Sequence, residues 1–373
     1  MKRIIKIGMD VHTTNYTLCA VEPVVGSEPK VLASTKGAPD YKEILLFIES
    51  LKHRLGLYDD YDIECGYEAG YLGYSLYHQL TNAGITCVIM APSTMLSEKG
   101  KRIKTDARDA LLIATCLANG GYHRVYVTDD KDTSVKEYIR MRDAHSDALK
   151  RTKQQCNALI LRSGYRYEKL NWTEAHKTWI RGLDLPIMDR ETLNEYLRTI
   201  DYLESRKTEM DKRIAEIANE DKYREKVNRL KCFCGIKTHT ALSFIVETGD
   251  FERFAKGNVY AHFLGLAPGE NSSSSKINRL SITKAGNSHL RRLLIEASEG
   301  ICRGRIGYKS KELKYRQIGN SLEVIVYADR ANVRLRKRYY KLMQRGKNRN
   351  VIKTAIAREL ACFIWGMMTD KIA

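Results

Sequence analysis

Arg3-Ile4-Ile5-Lys6-Ile7-Gly8-Met9 reads as a buried β-strand that stops at Asp10. A short run rich in β-branched and other apolar residues, closed by a polar one, is the mark of such a strand. Working outward, Thr17 to Val24 and Val31 to Thr35 read as two further strands bounded by turn residues. Asp40 to Leu55 carries apolar residues at helical spacing (Ile44, Leu45, Ile48, Leu51). Asp62 to Glu68 reads as a strand, Tyr71 to Ala83 as a helix, Thr86 to Met90 as a strand and Thr105 to Ala118 as a helix. Three strands, helix, strand, helix, strand, helix is an α/β layer pattern built on a mixed sheet.

The middle of the chain changes character. Prolines are absent between Pro92 and Pro186 and again up to Pro268, so long helices run without interruption. From Leu193 an apolar seam repeats every seven residues. Leu193, Ile200, Lys207 and Ile214 share one register; Tyr196, Leu203, Met210 and Ile217 share the register three residues on. That pattern predicts a coiled coil. Val135 to Leu161 carries a weaker seam (Val135, Tyr138, Leu149, Cys156, Leu159) broken by Arg142 and His145. The two segments suit either a hairpin within one chain or a junction between chains. Gly235-Ile236-Lys237 between two helical stretches resembles the turn of a helix–hairpin–helix, whose amides can approach a phosphate. The rest of the chain is helix-rich and includes a loop with Ser272, Ser273, Ser274 and Ser275.

The chain has 373 residues, 43% hydrophobic and 29% charged, which excludes collagen-like, mucin-like and wholly disordered classes. Its longest apolar run, Leu111 to Ala118, falls short of the ~18 residues of a membrane helix. The N-terminus lacks the apolar core of a signal peptide, so a cytoplasmic protein is expected. Nine irregularly spaced cysteines without a CxxC point to reduced buried thiols. The net charge is +18, unevenly spread. Residues 1–127 carry 14 Lys+Arg against 14 Asp+Glu; residues 301–373 carry 18 against 5. A neutral domain joined to a basic one suits a polyanion partner, because each neutralised phosphate releases counterions.

Four acids fall where chemistry could gather. Asp10 and Glu68 end two strands, while Asp106 and Asp109 are three apart and share one helical face. Glu64 lies on the same strand face as Glu68 and competes with it on spacing. Carboxylates brought together repel unless a hard cation with oxygen ligands, Mg²⁺ or Mn²⁺, neutralises them. Two such ions about 4 Å apart can assist phosphoryl transfer. Lys104 and Arg108 flank the helical pair and could hold a phosphate backbone. In the serine loop a hydroxyl could act as nucleophile, with Lys276, Arg279, Lys284, Arg291 and Arg292 following it to steady charge on phosphorus. Taken singly, each acid reads as a cap or surface charge and the serines as a flexible loop.

Together these residues resemble the DEDD-type insertion-sequence transposases of the IS-one-ten family, relatives of the Piv and MooV invertases and of bridge-RNA-guided recombinases. The resemblance rests on Ile7-Gly8-Met9-Asp10-Val11-His12, Tyr67-Glu68-Ala69-Gly70-Tyr71 and Lys104-Thr105-Asp106-Ala107-Arg108-Asp109-Ala110. It continues in Phe263-Leu264-Gly265-Leu266-Ala267-Pro268, the serine run and Thr283-Lys284-Ala285-Gly286-Asn287. It implies a RuvC-like domain of the RNase H superfamily at 1–127, a helical coiled-coil oligomerisation region at 128–228 and a C-terminal transposase domain at 229–373. It also implies that Asp10, Glu68, Asp106 and Asp109 bind Mg²⁺ or Mn²⁺. Ser272, with Ser273 as alternative, would form a covalent 5′-phosphoserine link to DNA. Partners would be double-stranded donor and target DNA, a structured guide RNA and further copies of the chain, dimer to tetramer. Arg336 and Arg338 stand for the basic C-terminal helices expected to hold phosphates. A Holliday-junction-type nuclease that needs the acids but no serine, and a catalytically decayed nucleic-acid-binding protein, are the competing expectations.

Overall fold

The first strand takes the alternating form that its sequence dictates. In the computed structural model, which describes residues 3–56, 61–95, 105–271 and 278–372, β1 spans Arg3–Val11. Ile5, Ile7 and Met9 are fully buried on one face, while Lys6, Gly8 and Asp10 point to the other. β2 (Tyr16–Glu22) and β3 (Lys30–Gly37) continue antiparallel from it. After α1 (Tyr41–Leu55), β4 (Tyr61–Glu68) pairs parallel with β1; after α2 (Ser75–Asn82), β5 (Thr86–Met90) pairs parallel with β4. The strand order is β3-β2-β1-β4-β5, the mixed sheet expected of the α/β pattern. Asp40 caps α1 by accepting from the Lys42 amide at 2.9 Å, and Gly56 ends it in the left-handed region. The α2 helix starts four residues later than its apolar spacing predicts, because Gly73 takes φ 63° and holds residues 71–74 as a turn.

The sheet is covered on both faces, by different means. Ile44, Ile48 and Leu51 of α1 and Leu76 and Leu80 of α2 fill one side with bulky side chains. On the other side α3 (Asp106–Asn119) sits almost backbone to backbone on the sheet. A Cβ placed on Gly8 would lie 2.2 Å from Ala114 N and 2.3 Å from Ala110 O. Ala110 and Ala114, both fully buried, are the matching small residues on the helix. Thr105 caps α3, its hydroxyl accepting from the Arg108 amide.

The chain divides into two compact units, Met1–Val127 and Thr128–Ala373. The second is helical apart from one small hairpin. α4 (Asp130–Arg162) and α6 (Ile187–Ala218) run antiparallel, joined through α5 (Glu174–Arg181). The heptad seam of α6 is buried within the same chain: Leu193, Ile200 and Leu203 meet Leu149, Cys156 and Leu159 of α4. Arg142, which interrupts the α4 seam, pairs with Asp211 of α6 through two bonds of 2.7 and 3.1 Å. Lys207, the polar exception on α6, pairs with the same Asp211 at 2.9 Å.

Then follow α7 (Asp221–Leu230), α8 (Thr238–Thr248), α9 (Gly257–Phe263), the β6 (Pro268–Glu270) and β7 (Arg279–Ile282) hairpin, α10 (Ser288–Cys302), α11 (Lys311–Gln317), α12 (Leu322–Gln344) and α13 (Arg349–Met368). At φ 88° the missing Cβ of Gly235 would lie 2.1 Å from Ala297 O, so the glycine lets the turn press against α10. All nine cysteines are unpaired and seven are buried. Among the described residues no helix is long and apolar enough to cross a membrane.

Gly8→Ala is expected to destabilise the first unit by about 3 kcal/mol or more, since backbone cannot yield as a side chain can. Gly70→Ala, whose new Cβ would approach nothing nearer than 3.9 Å, is the near-neutral control. Urea unfolding of the two variants beside the parent decides it.

Candidate active site

One row of residues crosses the sheet beneath the N-terminus of α3. Thr17 pairs with Lys36 and with Asp10, and the pairing of Met9 with Tyr67 puts Glu68 at the next position beside Asp10. Alternation turns Asp10 toward the α3 side, where Gly8 and Gly66 have cleared the way. The first turn of α3 supplies Asp106 and Asp109, at the end of a helix whose dipole favours carboxylates.

Ligand atoms of Asp10, His12 and Asp106 lie within 4.8 Å of one another. Asp109 lies close enough that its charge is felt at Asp10. Glu68 is exposed at its register position, outside that 4.8 Å group. Glu64, its rival on spacing, is committed elsewhere: it pairs with Lys6 at 2.5 Å and Arg124 at 2.8 Å. His12 and Lys36 were not singled out from the sequence. His12 Nε2 lies 3.2 Å from Asp10 Oδ2, and Lys36 Nζ bonds Asp106 Oδ2 at 2.8 Å. The Asp-x-His spacing at the end of β1 was the available signal for the first. Lys36 reaches the site only through strand pairing, which local sequence does not display.

Burial raises the Asp10 carboxyl above its ordinary range; His12 partly offsets this, and the charges of Asp109 and Asp106 add to it. The Lys36 ammonium lowers Asp106. Asp10 Oδ2 is buried and faces His12 Nε2 at 3.2 Å without completing a hydrogen bond among the described residues. A buried carboxylate oxygen left bare is costly unless a cation meets it. Carboxylate oxygens with one imidazole nitrogen suit a hard or borderline divalent ion such as Mg²⁺ or Mn²⁺. Beside the acids an open cavity of about 600 Å³ is lined by Thr17, Ser34, Thr35, Lys36, Thr105, Asp106 and Ala107.

The expected serine site is anchored in the second unit. Ser272, Ser273 and Lys276 lie outside the described residues, as does Lys104 of the first unit. Arg279 begins β7 and Lys284 is exposed, at φ 56° in the left-handed region. Arg108 is exposed on α3. Arg291 bonds Leu264 O at 3.0 Å, and Arg292 bonds Asp143 at 2.7 Å. Arg338 pairs with Glu359 at 2.9 Å and stays partly exposed. Arg336 departs from its expected surface role. It is 5% exposed, and its guanidinium donates to Ile301 O, Arg305 O and Tyr308 O at 3.2, 2.9 and 2.5 Å. Gly304 makes room for it, since a Cβ there would lie 2.2 Å from Nη2. Its charge is spent closing the ends of backbone segments, so it offers a phosphate nothing.

Comparison with known proteins places these motifs. Residues 7–163 match a family model described as transposase, and residues 227–314 match one described as transposase IS116/IS110/IS902 family. The chain is 30% identical to the transposase for insertion sequence element IS1533 of Leptospira borgpetersenii, over 93% of this chain and 99% of that protein. It is 34% identical to y4qE, a proposed transposase of Sinorhizobium fredii, over 82% of this chain and 75% of that one. Among solved structures, Thermus thermophilus RuvC in complex with a Holliday junction substrate matches at 15% identity and TM-score 0.23, over 33% of this chain and 99% of that chain.

Asp10→Asn is expected to raise the thermal midpoint of the metal-free protein at neutral pH by a few degrees. A carboxyl whose folded pKa is raised costs stability above that pKa, and the cost disappears once both states are protonated. The difference between variant and parent therefore shrinks as pH falls below the ordinary aspartate range, which melting curves across pH will show. Arg336→Met is expected to cost the second unit on the order of 3 kcal/mol, because three carbonyls lose their donor, read by denaturant unfolding.

Proposed function

The chain belongs to the IS116/IS110/IS902 family of transposases, enzymes that cut and rejoin DNA, and from that premise we propose a site-specific recombinase that moves its own element. The observation that carries the reading is the meeting of Asp10, His12 and Asp106 at the end of β1, where the buried Asp10 Oδ2 faces His12 but completes no hydrogen bond. Asp10, Glu68, Asp106 and Asp109 hold Mg²⁺ or Mn²⁺ in a RuvC-like domain. Bound there, the ion supplies positive charge to the oxygens of a phosphate undergoing transfer. His12 holds the Asp10 carboxylate and Lys36 holds that of Asp106.

The nucleophile is Ser272, with Ser273 the alternative. Its oxygen forms a bond to phosphorus while the bond from phosphorus to the 3′-oxygen breaks. The serine proton leaves to a base, and the departing strand keeps a 3′-hydroxyl. The DNA 5′ end is then esterified to the protein, and attack by a new 3′-hydroxyl reverses the step without ATP. Arg108, Lys284 and Arg338 contribute to the positive surface for double-stranded donor and target DNA and for a structured guide RNA. The oligomer, dimer to tetramer, is assembled through the 128–228 region, by faces other than the seam that α4 and α6 bury on each other. These features rest on the resemblance of the sequence motifs to DEDD-type transposases and on the charge distribution along the chain.

The test incubates protein co-expressed with the non-coding flank of its gene with Mg²⁺ and a plasmid carrying the element junction. An SDS-stable, protease-sensitive DNA adduct is expected with the parent and absent with Ser272→Ala. Asp106→Asn is expected to lower cleavage on the order of 10²-fold or more. Adduct that persists in Ser272→Ala moves the chemistry to Ser273 or another residue. Cleavage without any adduct replaces the reading with a metal-dependent nuclease.

A further inference from the structure

A second cluster of charged side chains, unrelated to the DEDD acids, lies buried between α4, α8 and α10. Asp143 of α4 is 5% exposed and Glu247 of α8 is 9% exposed. His289 of α10 stands between them, with Nε2 2.8 Å from Asp143 Oδ2 and Nδ1 3.1 Å from Glu247 Oε1. With a carboxylate at each ring nitrogen, the imidazole is held as a cation donating both ways. Arg140 forks onto Glu247 at 2.7 and 2.9 Å, while Arg142 and Arg292 close on Asp143 at 3.0 and 2.7 Å. Burying so many charges is expensive, and an apolar core would stabilise the same helices at least as well. The arrangement is therefore better explained by the geometry it fixes.

What it fixes is the root of the β6–β7 hairpin. Glu247 Oε2 accepts from Asn287 Nδ2 at 2.8 Å, and Asn287 Oδ1 caps α10 by accepting from the Leu290 amide at 3.0 Å. Back along the chain from Asn287, three amides hang the returning strand on the segment before β6. Asn287 N bonds Phe263 O at 3.3 Å, Lys284 N bonds Gly265 O at 3.1 Å and Thr283 N bonds Ala267 O at 2.9 Å. The fit is close: a Cβ on Gly286 would lie 2.0 Å from Phe263 O, and one on Gly265 would lie 2.2 Å from Ala285 O. The hairpin so anchored is the one whose two strands lead into and out of residues 272–277.

We propose that His289, Asp143 and Glu247 are positioning residues for the recombination step, acting through Asn287 to set the register of the β6–β7 hairpin against α10. The inference rests on the serine reading above, since only then does this hairpin carry the nucleophile. It assigns a role to groups that never touch the phosphate.

The role has a pH signature. Burial lowers the His289 pKa, but the bonds to Asp143 and Glu247 outweigh it and the net shift is upward. Burial raises Glu247, yet His289 and Arg140 pull it down to about 2, and Asp143 is likewise pulled down, by His239, His289 and Arg142. The other charged or titratable groups facing the cluster are His239 of α8, whose Nε2 lies 2.9 Å from Asp143 Oδ1, Lys136 and Asp147 of α4, and Asp211 of α6 beside Arg142. Because the folded His289 pKa is raised, the clamp is fully present below the ordinary histidine pKa and is lost as pH rises through the folded value.

The experiment uses the full chain and two readouts. Backbone amide exchange at Thr283, Lys284 and Asn287 is followed from about pH 5 to about pH 8, corrected for intrinsic rate, with β1 amides as internal control. The rate of DNA adduct formation is followed over the same range. His289→Gln is expected to speed exchange at those three amides about tenfold or more, to leave β1 unchanged, to slow adduct formation by a similar factor and to abolish the parent's alkaline fall in rate. Unchanged protection overturns the proposal, and so does lost protection with an undiminished adduct rate. If His289→Gln loosens all of α8 and α10, Glu247→Gln, which keeps an acceptor for Asn287, is read by the same two criteria. Ser272→Ala keeps amide protection if the clamp is real. Should Ser272→Ala still form adduct, the nucleophile is misassigned while the exchange arm continues to decide the clamp.

Discussion

Everything at the acidic site depends on how close one helix can come to one strand. Gly8 has no side chain, and Ala110 and Ala114 have almost none, so α3 lies against β1 with backbone atoms in contact. Any larger residue at Gly8 would lift the helix off the sheet. The acids would then separate, because Asp10 is two residues beyond Gly8 and Asp106 is one turn before Ala110. The close approach also takes much of Asp10 out of water, which raises its carboxyl pKa. Packing and electrostatics are thus one arrangement, in which a small-residue contact produces a site short of positive charge.

The helical unit solves a different problem with the same economy of elements. Its long antiparallel pair α4 and α6 buries an apolar seam along most of its length, yet carries Arg142 and Asp143 into the interior near α8 and α10. Each buried charge there meets at least one opposite charge, as desolvation requires. Arg142, which breaks the α4 seam, ties α4 to Asp211 of α6, and its neighbour Asp143 ties α4 to His289 and Arg292 of α10. A coiled-coil seam alone would give a hairpin; the polar interruption gives that hairpin a fixed relation to the segment between α9 and α10.

Much of the fold was legible in the sequence. Strand alternation, turn residues and helical apolar spacing located the described strands and α-helices of the first unit to within a few residues, except the start of α2, where Gly73 forms a turn that helical spacing does not reveal. Asp10, Asp106 and Asp109 were legible as candidates because strand ends and helix faces are local features. The engagement of Glu64 was not, since it turns on Lys6 and Arg124 reaching it from elsewhere in the chain. Arg336 was misjudged for the same reason: a charge count treats every arginine as surface until three carbonyls from other segments are seen to surround it.

The sequence by itself determined the α/β order of the first unit, the helical character of the second, the basic charge of the C-terminal part and the motifs that mark the family. These follow from periodicity, composition and residue type, which are properties of neighbours along the chain. Only the tertiary structure decided that His12 and Lys36 join the acids, that Gly235 serves packing and that His289 bridges two carboxylates from two other helices. Each of those depends on residues far apart in sequence meeting at hydrogen-bond or van der Waals distance. Such meetings are fixed by how whole elements pack, which no local pattern encodes.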